Sequence, residues 1–67
     1  MTIFRLSLWS QQEGEIIHRA MIEGTRLDAE RALSNFWNNS LAVVSETGRY
    51  RARLHEVGNR RALSIIG

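Results

Sequence analysis

Residues 2–10 read TIFRLSLWS, and the polar stretch Gln11-Gln12-Glu13-Gly14 follows directly. Phe4, Leu6 and Leu8 alternate with Ile3, Arg5, Ser7 and Trp9. A strand sends successive side chains to opposite faces, so this alternation predicts a half-buried strand whose Phe4, Leu6 and Leu8 face a core. The connection ends in glycine, which suits a short hairpin loop closed by a left-handed residue. The chain is therefore expected to open on a β-hairpin, with 15–23 as the return strand. Ile16 and Ile17 are adjacent and blur the period there. We place Ile16, Ala20 and Ile22 inward and Ile17, Arg19 and Met21 outward.

Downstream of this hairpin the period changes twice. Gly24-Thr25 ends the second strand, and Thr25 with Asp28 three residues on forms an acidic version of the capping box that starts helices. Ala29, Ala32, Leu33 and Phe36 recur at helical spacing, with Trp37 beside them and Arg26, Glu30, Arg31 and Asn35 toward water. Asn38-Asn39 is the expected stop, because asparagine tolerates the left-handed conformation that closes helices. From Leu41 the period returns to two. Residues 41–46, a Thr47-Gly48 turn, 49–57, a Gly58-Asn59 turn and 60–66 then read as a three-stranded meander. The expected fold class is α+β: an antiparallel sheet of about five strands with one helix packed on one face, in the order ββαβββ, as a single domain over residues 1–67.

Sixty-seven residues bury only about 60 % of the surface an unfolded chain exposes, which leaves no room for a deep two-lobed cleft. There is no cysteine, so neither a disulfide framework nor a thiolate metal site supports the fold. Arg5 interrupts the apolar run at the start, unlike a secretory signal, and the longest apolar stretches fall far short of the ~20 residues of a membrane helix. A cytoplasmic location is the resulting expectation.

All nine basic residues are arginines, and their distribution is uneven. Residues 49–61 hold Arg49, Arg51, Arg53, Arg60 and Arg61 against Glu56 alone, a local charge of +4, whereas residues 1–48 carry four arginines and six acids, or −2. Such asymmetry speaks to partners and not to fold. If the helix covers the face bearing Phe4, Leu6, Leu8, Tyr50, Ala52 and Leu54, the same parity gathers Arg5, Arg19, Arg49, Arg51 and Arg53 on the other, with Trp9, Met21 and His55 among them. Glu15, Glu23 and Glu46 are the acids able to neutralise part of that row. Guanidinium groups grip carboxylates and phosphates bidentately, and tryptophan offers a stacking plane. The candidate partner-binding residues are therefore Arg5, Trp9, Arg19, Arg49, Arg51, Arg53, His55, Arg60 and Arg61.

Nothing in the chain spells out catalysis. His18 and His55 fit no metal-ligand spacing, Ser34, Ser40, Ser45 and Ser64 sit in no nucleophile motif, and the glycines fall singly at turns and not in a phosphate loop. A binding protein is expected, with no cofactor and no catalytic or metal site. The competing chemistry is His55 beside Arg53 acting as an acid–base group on RNA.

Two resemblances follow from this element order. Over its full length the chain resembles, in architecture, the small phage-encoded anti-CRISPR proteins that inhibit type I systems, one of which has a similar size and strand–strand–helix–strand–strand–strand order. That resemblance implies a non-enzymatic inhibitor that docks on subunits of a CRISPR surveillance complex and blocks its nucleic-acid target. The segments Gly48-Arg49-Tyr50-Arg51-Ala52-Arg53-Leu54 and Arg61-Ala62-Leu63-Ser64-Ile65-Ile66-Gly67 look like the closing strands of RelE/ParE-type toxins. This second likeness implies a ribosome-dependent ribonuclease, although those toxins open with a helical hairpin. A generic nucleic-acid-binding domain is the third reading, and a ubiquitin-like β-grasp also begins ββα.

Overall fold

Four strands and one helix organise residues 2–44 and 48–67, which the computed structural model describes. The opening hairpin forms as its alternation demands: β1 (Thr2–Ser10) pairs antiparallel with β2 (Glu15–Gly24). Gly14 closes the connection at φ 68°, and its N–H donates to the Ser10 carbonyl at 2.8 Å. Thr25 caps α1 (Arg26–Leu41) through the reciprocal box read from the sequence. The Asp28 N–H donates to the Thr25 hydroxyl at 3.2 Å, and the Thr25 N–H donates to the Asp28 carboxylate at 3.1 Å. The Thr25 backbone N–H first, and then the Thr25 side chain, hold the Asp28 carboxyl below its ordinary range.

The sheet order is β2-β1-β3-β4, with β3 (Tyr50–Glu56) antiparallel to β1 and β4 (Ser64–Ile66) antiparallel to β3. One face of this sheet carries α1. Phe4, Leu6, Leu8, Ala52 and Leu54 from the strands meet Ala29, Leu33 and Phe36 from the helix in a single core. Ala20, Ile22, Trp37, Tyr50 and Ile66 flank it, half-buried. No helix among the described residues is long and apolar enough to cross a membrane.

The number of strands and the placement of several residues differ from the sequence reading. Among the described residues the sheet has four strands and not five, in the order ββαββ, because the expected strand over 41–46 does not begin at Leu41. Leu41 closes the helix and Ala42–Val44 turn, while residues 45–46 and Thr47 of the expected turn lie outside the described residues. Asn38-Asn39 fails to stop α1 because Ser40 continues the buried stripe of Ala29, Leu33 and Phe36. Burial of that last turn outweighs the local preference of asparagine, and no residue other than glycine adopts a positive φ among the described residues. The strand expected over 60–66 shortens to Ser64–Ile66. The Arg61 N–H donates to the Asn59 side-chain oxygen at 3.0 Å, and this local bond keeps 59–61 out of the ladder. Gly58, at φ 90°, completes the turn that the Asn59 N–H closes onto the Glu56 carbonyl at 3.0 Å.

Glu30, expected in water, is half-buried instead. Its carboxylate accepts from the Ser64 hydroxyl and from Arg26 Nε at 3.0 Å, and Arg26 also donates to the Leu63 carbonyl at 3.2 Å. The start of the helix is thereby tied to the short edge strand. The Ser64 bond, followed by the Arg26 bond, lowers the pKa of Glu30.

A bulge in β2 accounts for the remaining correction. Leu8 pairs with His18 and Trp9 with Ile16, so Ile17 is an extra residue with no partner on β1. Ile16, placed inward from the sequence, therefore stands opposite Trp9 on the open face. His18 takes the helix side, and its ring stacks on Phe36 with centroids 5.2 Å apart and planes 4° from parallel.

Candidate binding face

The face of the sheet away from α1 is built row by row from the strand register. Ile16, Trp9 and Arg51 form one row. Arg19, Ser7, Arg53 and Ile65 form the next. Met21, Arg5 and His55 follow, and Glu23 with Ile3 completes the paired surface. Four arginines thus share one open sheet face with a single carboxylate, Glu23. That carboxylate sits opposite Ile3 and not opposite a cation. Among the described residues the ion pair found is Arg26–Glu30, on the helix, so none of these four guanidinium groups is neutralised by a carboxylate there.

The side chains of this face are organised by one another. Arg53 lies over the Trp9 ring, 5.7 Å from its centroid, a separation at which a cation is attracted by the ring quadrupole. Arg51 is opposite Trp9 and donates from Nε and Nη2 to the Gln11 side-chain oxygen at 3.1 and 3.3 Å, once the amide is oriented to accept. Ser7 occupies the middle of the face yet is only 3 % exposed. Its neighbours on this face are Arg19 and Arg53 across the ladder and Arg5 and Trp9 along the strand. His55 is half-buried; desolvation first, and then the Arg5 and Arg53 charges, push its pKa below the ordinary 6.5, against a hydrogen bond with the Arg60 backbone. His55 Nδ1 and Arg53 Nε are buried without hydrogen-bond partners among the described residues.

The face is also apolar. Met21 is 60 % exposed, Ile65 57 %, Ile3 44 % and Ile16 39 %. A sheet surface selected only for solubility would carry polar side chains at such positions.

Of the residues singled out from the sequence, Arg5, Trp9, Arg19, Arg51, Arg53 and His55 come together here. Arg49 precedes the first residue of β3, where its carbonyl accepts from the Gln11 N–H at 2.9 Å, so the expected strand row of three arginines contains two. It borders a shallow groove of about 450 Å³ between β3 and the end of α1, which Tyr50, Trp37 and Leu41 also line. Arg60 and Arg61 are exposed in the connection between β3 and β4, off the paired surface. Ile16 and Ile65 are the face residues that sequence reasoning missed. The adjacent Ile16-Ile17 pair was the available signal for the first, since two like residues in sequence mark a break in alternation.

No family model matches the chain, and no curated protein or solved structure shows a match to it.

Proposed function

We propose that this chain is a stoichiometric protein-binding module whose open sheet face docks on an acidic surface with an apolar centre. The observation that carries the reading is the composition of that face: Arg5, Arg19, Arg51 and Arg53 around Trp9, Met21, Ile3 and Ile65, with one carboxylate and, among the described residues, no ion pair on the face itself. Arginine, methionine and tryptophan are the side chains enriched at protein interfaces, and exposed aliphatic side chains contribute little to a phosphate backbone. A phage-type inhibitor of a CRISPR surveillance complex, the function implied by the architectural resemblance, is a protein of this class, and such a complex is the first partner to assay.

The toxin reading draws less support. A general base must reach the proton it removes. Of the two ring nitrogens of His55, Nδ1 is buried, and the chain opens with a β-hairpin where the toxins have helices.

The test is a calorimetric titration of the chain against a purified type I surveillance complex, beside a titration with single-stranded RNA at several salt concentrations. The triple variant Arg5→Gln, Arg51→Gln, Arg53→Gln keeps its fold, since glutamine preserves length and polarity. Well-made charge-assisted contacts contribute about 1.5–3 kcal/mol each, so losing three lowers affinity for the complex by a factor on the order of 1,000 or more. Undiminished affinity in the variant would remove the face from the interface. Tighter binding to RNA than to any protein, with a steep salt dependence, would transfer the case to a nucleic-acid partner.

A further inference from the structure

Strand β2 lies at the edge of the sheet, and nothing among the described residues pairs with its outer side. Long unprotected edges are templates for another strand, and proteins usually blunt them with proline, charged side chains or a bulge. β2 contains no proline, and the charges on its run after the bulge are one of each sign, Arg19 and Glu23. Its bulge is confined to Ile17, near its start, which leaves His18–Gly24 as a regular run of the ladder. We infer that this run is the interface of a symmetric dimer, in which β2 of one copy pairs antiparallel with β2 of a second about a two-fold axis through Met21.

Three properties of the run favour the second copy over any other strand. Met21 is its midpoint, so a two-fold there uses every residue from His18 to Gly24. On the open face that register sets Arg19 opposite Glu23 of the other copy, twice, which gives an opposite-charge partner to a guanidinium and a carboxylate that have none among the described residues. On the helix face it sets His18 opposite Gly24 and Ala20 opposite Ile22, a large side chain against a small one each time. The half-exposed Ala20 and Ile22 would then complete their burial. A register centred on Arg19 would instead oppose two arginines, and one centred on Ala20 would leave both Arg19 and Glu23 without an opposite charge.

The geometry leaves room for the helices. Outward residues pair with outward residues, so both copies of α1 lie on the same side of an eight-stranded sheet. Each helix packs on β1, β2 and β3, centred near β1. Three strand spacings of about 4.8 Å would separate the two axes by about 14 Å, wider than the 8–10 Å of packed helices. The arginine faces of the two copies become continuous on the opposite side.

Sedimentation of the full chain over micromolar to millimolar concentration tests the dimer. The expected mass rises to twice the 7.7 kDa of one chain. Arg19→Glu turns two attractive pairs repulsive and weakens dimerisation about tenfold or more, and adding Glu23→Arg restores it. Because the chain has no cysteine, Met21→Cys supplies a second readout: oxidation links two copies at the axis, whereas Ile17→Cys on the same strand does not cross-link. A monomer at every concentration overturns the inference. So does a dimer indifferent to Arg19→Glu, a charge exchange that restores nothing, or equal cross-linking at both positions. Circular dichroism of each variant separates lost pairing from lost fold.

Discussion

Replacing Phe36 by alanine removes the aromatic side chain through which the helix holds the sheet. Phe36 is 7 % exposed, lies in the central cluster with Leu33 and the β1 leucines, and presents its ring flat to His18. Truncating a buried aromatic costs about 3–5 kcal/mol, the lost transfer free energy plus the cavity left behind. The cavity in this case borders an exposed edge strand. His18 stands in that strand with solvent on its outer side, so it is able to lean into part of the space. That places the expected loss near the lower end, about 3 kcal/mol. A domain of this length has a total stability of roughly 3–10 kcal/mol, so the variant is expected to be marginal or unfolded at 37 °C. Urea titration followed by tryptophan fluorescence measures the loss, with Trp37 adjacent to the site as reporter. A midpoint shift equivalent to less than about 0.5 kcal/mol, the scale of an ordinary surface change, would refute the packing of α1 through Phe36.

Thr25→Ala removes the hydroxyl that accepts from the Asp28 N–H, while the Thr25 N–H can still donate to the Asp28 carboxylate, and is expected to cost about 1 kcal/mol, read in the same titration; Thr25→Asn should retain most of that stability. The lowered pKa of His55 predicts a pH dependence whose sign follows from proton linkage. The unfolded state takes up a proton as pH falls through about 6.5 while the folded state resists it, so this contribution is full above pH 6.5 and is lost as pH falls toward the folded-state value. Melting temperatures recorded from pH 7.5 down to pH 5 should therefore decline, and the decline should be shallower in His55→Gln. An identical profile in the two proteins would mean that the imidazole is not shielded between Arg5 and Arg53.

How far the sequence disclosed this arrangement depends on which kind of signal was present at each position. β1 was legible because Phe4, Leu6 and Leu8 alternate without interruption, and the register then placed Arg5 and Trp9 outward by necessity. Ala52 and Leu54 followed the same rule, both fully buried, while Arg51 faces out. The start of α1 was legible because its cap is a local device. Its end was not, because burial of Ser40 beneath the last turn is a tertiary effect that no dipeptide announces. The second hairpin strand failed in an instructive way. A one-residue bulge reverses the facing of every residue before it, which accounts for the error at Ile16; His18 lies after the bulge and shares the inward parity of Ala20 and Ile22.

The open face is the feature that calls most strongly for a partner. Four guanidinium groups spread over three adjacent strands repel one another, and Glu23, the carboxylate on that surface, stands opposite an isoleucine. Solvation alone makes such a surface tolerable, but solvation does not account for the apolar side chains placed between the charges. Met21 beside Arg5, Ile65 beside Arg53 and Ile16 beside Trp9 each leave hydrocarbon in water at positions where a threonine or glutamine would satisfy a strand equally well. The two features are reconciled when both are covered at once, by a surface that brings carboxylates to the arginines and apolar area to the spaces between them. Each contact then gains more than it would alone, because excluding water from around an arginine–carboxylate pair strengthens the attraction, and pairing the charge makes the exclusion tolerable. On the proposed reading, the face would select its partner through the spacing of its arginines and retain it through the residues between them.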